Sequence, residues 1–434
     1  MREMKDTGIE WIGEMPAEWL VKKVKHGFFR SKSEAHQEDP VVLSLARSGV
    51  KVRDMSNNEG QMAESYYNYN PVLPGDLLLN PMDLYSGANC SVSKVSGVIS
   101  PAYINLRHKK GYCPRYFDYY FKTQYWAMAM FAHGRGVSFD NRWTLGIEEL
   151  KNYYIPVPCE DEQEKIATFL DNQCAVLDNI IQKTRASIDE YKKLKQSTIT
   201  QAVTKGVHGS RVMQDTGIEW IGEIPIEWHV KKLRYLGGCQ NGISKSSEYF
   251  GEGYPFVSYG DVYRNYQLPE TVNGLIMSTD SDRENYSVIR GDVLFTRTSE
   301  TIEEVGFSSV CLKTIEHATF AGFVIRFRPN TNELLPEYSK YYFRSDIHRR
   351  FFIKEMNLVT RASLGQELLK KLPVILPPLQ EQLEIADYLE KKCGEIDRII
   401  AKKEQYITEL ESYKKSLIYE YVTGKKEVSR EYKA

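Results

Sequence analysis

The sequence predicts an α+β fold in which two globular domains, related by a pseudo-twofold repeat, are separated by two long antiparallel helices forming a coiled coil. Three observations carry this expectation. Residues 6–23, DTGIEWIGEMPAEWLVKK, return at 215–232 as DTGIEWIGEIPIEWHVKK, with fifteen of eighteen positions identical. Each copy leads, after a divergent stretch, into one long apolar stripe at helical spacing. The divergent stretches hold short β-branched and aromatic runs punctuated by turn residues.

Taken in order, the repeat divides the 434 residues into an N-terminal block at 1–23 and a globular domain at 24–158, followed by a central long helix at 159–206. A second block at 207–232, a second globular domain at 233–377, a C-terminal long helix at 378–424 and a tail at 425–434 complete it. Strands are expected at Val41–Leu45, Asp76–Leu79 and Ala102–Leu106, then at Asp292–Thr296 and Phe323–Phe327. An aromatic helical stretch is expected in each domain, at Arg115–Phe131 and Glu337–Phe352.

The clearest helix is expected over 161–205, where Ile166, Leu170, Leu177, Ile181, Ile188 and Ile199 mark one stripe with no Pro or Gly inside. Its copy runs from Leu379 to Val422, and Gly206 and Gly424 supply the stops. Pro158 and Pro377-Pro378 sit just ahead of the two starts, where proline is tolerated. At 1.5 Å per residue each helix is roughly 65 Å long. A single stripe of that length needs a partner, and its repeat is the obvious one.

Offsets locate where the copies diverge. Residues 162–174 match 381–393 at an offset of 219, ten more than the offset of 209 between the blocks. Gly75-Asp76 corresponds to Gly291-Asp292 at an offset of 216, and Arg142–Glu148 to Arg361–Glu367 at 219. The ten extra residues therefore lie inside the second domain.

Composition bounds the function classes. With 42% hydrophobic and 26% charged residues the chain is that of an ordinary globular protein. No apolar run approaches the ~20 residues needed to span a membrane, and the N-terminus lacks a signal-like apolar core. Seven cysteines with no C-x-x-C pair argue against zinc and disulfides and fit a reducing cytoplasm. The net charge of −1 gives nucleic-acid binding no support. Residues 24–155 hold 15 basic against 12 acidic groups, and 233–374 hold 17 of each, so any DNA-facing surface requires sorting of charge onto one side.

Catalytic signatures are sparse. Asn80-Pro81-Met82-Asp83 lacks the second proline and the aromatic of an adenine-methyltransferase loop. Neither a phosphate-binding glycine loop nor metal-spaced histidines occur, so no catalytic residue, metal ligand or cofactor is assigned to this chain.

Nucleic-acid contacts are the better reading of the polar loop residues, because forked, planar or short polar groups match base edges. Candidates are Arg47, Ser48, Tyr85, Ser86, Asn89, Arg135, Ser138 and Asn141 in the first domain. In the second they are Asn241, Lys245, Ser258, Tyr259, Arg264, Arg297 and Thr298. Taken singly, each is more readily explained as a solvated loop residue than as a base reader. Arg142 and Arg361 recur at matching positions, which suits a phosphate contact or a structural brace rather than base reading. Thr144 and Ser363 beside them look like helix N-caps. Trp11, Trp19, Trp220 and Trp228 of the repeated block are candidates for docking on the helices or on a partner.

In combination these residues resemble the specificity subunits of type I restriction–modification systems, over essentially the whole chain. The resemblance rests on the Asp6–Trp19 and Asp215–Trp228 blocks, Gly75-Asp76 and Gly291-Asp292, Ser100–Tyr103, and the Glu162-Gln163 and Glu381-Gln382 helix starts. The second domain departs at the third element, reading Ala318–Phe323. The resemblance implies that each domain is a target-recognition domain for one half of a split double-stranded DNA target. The helices would set the gap between the halves. It also implies two modification subunits that bind S-adenosylmethionine, with restriction subunits joining them. A free-standing DNA-modifying enzyme and a coiled-coil scaffold are the competing classes.

Overall fold

The computed structural model describes residues 2–54, 63–82, 84, 90–136, 143–299, 304–355 and 362–429. It divides into two compact units: residues 1–184 with 405–434, and residues 185–404. The central long helix spans Glu160–Lys205 and the C-terminal long helix Leu379–Val422, each as one uninterrupted element. Both therefore contribute a segment to each unit.

The first unit is built on a four-stranded antiparallel sheet of β1 (Phe28–Arg30), β2 (Leu77–Leu79), β3 (Cys90–Val92) and β4 (Ile104–His108), ordered β1-β4-β2-β3. The helix α1 (Pro114–Trp126) starts on a proline, whose missing N–H costs nothing in a first turn. It buries Tyr116, Phe117, Tyr120 and Phe121. These rings join Trp19, Leu77, Leu79, Ile166, Leu170 and Val422 in one core. A hairpin, Leu43–Ala46 with Gly49–Val52, packs in a smaller cluster around Leu78 and Ile99.

The second unit repeats the order. Its sheet holds β5 (Gly237–Asn241), β6 (Val293–Thr296), β7 (Ser308–Val310) and β8 (Val324–Pro329), ordered β5-β8-β6-β7. The short helix α2 (Tyr259–Arg264) follows β5 in the chain. The aromatic stretch forms two helices, α3 (Pro336–Tyr342) and α4 (Asp346–Glu355), rather than the single one expected over 337–352. The break has a tertiary cause. The Asp346 amide donates to Thr200 Oγ1 at 3.2 Å, and the Ser345 hydroxyl to the Tyr342 carbonyl at 2.8 Å. Strand alternation splits the sheet's faces: Val293, Phe295, Ile325 and Phe327 enter one core, Leu294 and Val324 the other.

Within each unit the two long-helix segments run antiparallel. In the first, Phe169 meets Tyr421 with ring centroids 4.5 Å apart, and Lys414 bonds Asp178 at 2.6 Å. In the second, Lys403 lies 5.7 Å from the Tyr191 ring and Lys195 bonds Asp397 at 2.7 Å. Among the described residues no helix is long and apolar enough to cross a membrane.

Candidate nucleic-acid interface

The repeated residues turn out to build a framework. In the first unit the Trp19 indole N–H donates to Glu162 Oε2 at 2.9 Å, and Arg2 donates to both oxygens of the same carboxylate at 2.6 and 3.0 Å. In the second, the Trp228 indole donates to Glu381 Oε2 at 2.7 Å and Arg211 grips the same carboxylate. Trp19 and Trp228 are 1% and 0% exposed, so neither offers a surface to a partner. They dock on the chain's own helix starts.

Each indole also covers the end of the other long helix of its unit. Gly424, at φ +73°, closes against Pro16 and Trp19, and Gly206, at φ +79°, against Trp228 and Arg211. Only glycine takes this left-handed turn without strain, and a Cβ would strike Pro16 at Gly424 and the Glu381 and Arg211 side chains at Gly206. The neighbouring glutamines complete the clamp. Gln163 accepts the Cys113 amide at 2.8 Å and donates to the Pro158 and Gly111 carbonyls, while Gln382 accepts the Leu335 amide at 2.9 Å and donates to Glu333 and Pro377. Trp11 and Trp220 are half-buried. Trp11 stacks on Tyr153 at 4.8 Å, whereas the Trp220 N–H is enclosed and has no hydrogen-bond partner among the described residues.

The Gly-Asp pairs are equally structural. Asp76 accepts from the Leu73 amide, Asn105 and, through two bonds, Arg107. Burial opposes its ionisation, but these donors outweigh it and hold the carboxyl below its ordinary range. Asp292 accepts the Ile289 amide at 2.9 Å and two Arg328 bonds at 2.7 Å. Each aspartate thus closes the turn into its strand and pairs with an arginine on the return strand.

The candidate base readers, with the phosphate or bracing candidates Arg142 and Arg361, separate into groups. Tyr85, Ser86, Asn89, Ser138, Asn141, Arg142 and Arg361 lie outside the described residues. Arg47 and Ser48 are exposed in the turn between hairpin strands and line a cleft of about 1010 Å³ with Lys94, Lys122, Lys414 and Lys415. Arg135 pairs its backbone with Thr144 and its side chain with Glu149 at 2.9 Å. Lys245 is held by the Met277 carbonyl and Asp282, in a different part of the second unit. Ser258 caps α2 by accepting from the Asp261 amide and donating to Asp261 Oδ2, so its hydroxyl is committed to the helix. Arg264 is exposed on α2 and reaches the Gly260 carbonyl at 3.3 Å.

Asn241, Tyr259, Arg297 and Thr298 meet at one end of the second sheet. Asn241 ends β5, and the following Gly242 amide donates to the Val324 carbonyl at 3.1 Å. The Arg297 amide donates to the Phe323 carbonyl at 2.9 Å, and the Tyr259 hydroxyl to the Thr298 carbonyl at 2.9 Å. Thr298 pairs with Ser363, and Leu364 donates to the Arg297 carbonyl at 2.7 Å. The first unit has the same joint, where Leu145 donates to the Pro81 carbonyl at 2.8 Å. Thr144 pairs with Arg135 and Ser363 with Thr298, and the caps of the short helices that follow are Gly146 and Gly365. Sequence reasoning missed the framework arginines, although Arg2 and Arg211 sit at the block offset. It placed Phe323 at the start of a strand, whereas the strand begins at Val324 and Phe323 is exposed in the turn before it.

Comparison with known proteins gives the arrangement a family. Residues 225–411 match the family model of the type I restriction modification DNA specificity domain. The chain is 28% identical over 254 residues, 56% of its length and 52% of the relative's, to the type I restriction enzyme EcoKI specificity subunit of Escherichia coli. It is 25% identical over 276 residues, 63% of its length and 62% of the relative's, to the MjaVIII specificity subunit of Methanocaldococcus jannaschii. The match thus spans little more than half the length of these curated relatives. In fold, it superposes on a chain solved in work on complex assembly and conformational transition of the type I R-M system. That match has a TM-score of 0.69 at 14% identity and covers 94% of this chain and 98% of the other. Residues 225–411 thus match a type I restriction modification DNA specificity domain, the chain is similar to specificity subunits of type I restriction enzymes over about half of its length, and the same framework is repeated in its first half.

Proposed function

We propose that the chain reads DNA sequence for a type I restriction–modification complex, with the globular part of each unit recognising one half of a split double-stranded target. One observation supports this most. The two units share their clamps, sheet order and turn-closing aspartates, yet differ in the side chains at the joint where strand, loop and short helix meet. Shared residues hold and position; unshared ones can discriminate. Arg142 and Arg361, common to both halves, fit phosphate contact or bracing. The chain supplies no reacting group. Adenine methylation falls to two modification subunits carrying S-adenosylmethionine, and cleavage to restriction subunits. Two equivalent surfaces on one chain suit two copies of one partner.

The test is to sequence the methylated motif in cells making this chain with its modification subunit, then to exchange residues 24–158 for those of a chain with another target. The expected result is a split motif with one half altered by the exchange. An undivided motif, or changes in both halves, overturns the proposal.

A further inference from the structure

We propose that Arg297 and Phe323 form a base-reading pair for the second half-site, Arg297 recognising a guanine and Phe323 the methyl group of a neighbouring thymine. This rests on the DNA-reading function proposed above and names the residues that would carry it.

The two residues are joined by a backbone bond one step beyond the end of the β6–β8 ladder. The register pairs Val293 with Phe327, Phe295 with Ile325 and Thr296 with Val324, and the Arg297 amide continues it onto the Phe323 carbonyl. Arg297 directly follows β6, and Phe323 stands in the turn closed by the Val324 amide on the Ala321 carbonyl, directly before β8. Beyond the last pair of the ladder burial ends, and Phe323 is 65% exposed. The arginines further along β8 have other work, Arg328 on Asp292 and Arg326 on Gln240 and the Ser287 carbonyl.

An exposed phenyl ring on a loose loop would mean little. Here the backbone beneath it is fixed. Ile243 donates to the Phe320 carbonyl, Ala321 to Val257, and Val324 to Ala321. A Cβ at Gly242 would strike the Phe320 and Ala321 carbonyls, and one at Gly322 would strike the Ser244 hydroxyl, so both glycines permit close backbone approach. A reading head gains discrimination when its support is this rigid, because less ordering is required on binding.

The chemistry suits adjacent base edges in a major groove. A guanidinium matches O6 and N7 of guanine with two bonds, and an apolar ring favours the thymine methyl. The matching joint of the first unit carries Pro81 in place of Arg297, under the same backbone bond from a leucine. The framework is thus kept while the side chain changes, as two different half-sites require.

The test sequences the methylated motif in cells making the full chain, as Arg297→Ala, Arg297→Lys, Phe323→Ala or Phe323→Leu, with its modification subunit. Arg297→Ala and Arg297→Lys are expected to relax one G·C position of one half-site about ten- to a hundredfold. Phe323→Ala relaxes a neighbouring T·A position and Phe323→Leu largely retains it. The other half-site stays unchanged, and circular dichroism shows unaltered melting. An unchanged split motif in the alanine variants overturns the pair while leaving the DNA-reading function standing. A uniform loss at every position assigns the residues to phosphate contact and also overturns it. Absence of a split motif with the unmodified chain defeats the underlying function instead.

Discussion

The ends of the long helices and the joints at the sheet ends show opposite relations between the two halves of the molecule. At the helix ends, Arg2, Trp19 and Glu162 are matched by Arg211, Trp228 and Glu381, with the same donors on the same carboxylate. At the joints, one backbone bond is kept while Pro81 gives way to Arg297. The difference teaches where each half was free to vary. A carboxylate largely shielded from water, holding an indole and a guanidinium, is costly to replace, since losing any member leaves a shielded polar group without its partner. A rim residue beyond the last buried rung meets no such demand.

The sharpest test of the sameness is to break both clamps separately. Trp19→Ala and Trp228→Ala should each cost about 3–5 kcal/mol, as fully buried large aromatics do. Denaturant unfolding followed by hydrogen exchange would place the first loss in the first unit and the second in the other. Strongly unequal costs would mean that the repeated blocks are not equivalent.

A smaller effect should separate the units by pH. His348, buried in the second unit against Tyr342 and Phe343, is pushed down to about 3 by burial. Between that value and about 6.5 the unfolded chain binds a proton that the folded unit refuses. Stability is therefore lost as pH falls, by up to about 1.4 kcal/mol per unit. Among the described residues the first unit has no fully buried histidine. Its Asp76, held below the ordinary carboxylate range, gives up stability only under more acid conditions. Hydrogen exchange across this range should show the second unit loosening first, and His348→Leu should flatten its response. Earlier loosening of the first unit would contradict the assignment.

The smallest effect is expected at the helix pairs Lys195–Asp397 and Lys414–Asp178, whose carboxylates are exposed. Alanine at either lysine should cost less than about 1 kcal/mol in thermal melts. A larger loss at one would show that this pair carries structural weight its counterpart lacks.

Much of the framework was legible because its signals are local or periodic. The stripe from Ile166 to Ile199 placed the central helix within one residue of its observed start, and the glycine stops fell at Gly206 and Gly424. The Gly-Asp pairs were visible as repeats, but their partners Arg107 and Arg328 lie on return strands that only the fold brings near. The break between α3 and α4 was invisible because no proline or glycine marks it. Thr200, far away in the chain, stabilises it. Of the proposed readers, Ser258 and Lys245 proved to be committed to local bonds, which residue type alone could not reveal. Phe323 was overlooked for the opposite reason. An aromatic at the start of an expected strand reads as core, whereas the structure places Phe323 in the exposed turn just before Val324.

The division of the chain between the units has a consequence for how the molecule is made. The second unit is one continuous stretch, 185–404, whereas the first joins 1–184 to a helix segment beginning at residue 405. Tyr116, deep in the first unit, bonds the carbonyl of Val422 at 2.9 Å, and Gly424 closes against Trp19. During synthesis from the N-terminus, the unit that begins first must therefore wait with part of its apolar core uncovered. Its neighbour can close as soon as its own residues have left the ribosome. Order of translation and order of completion are reversed.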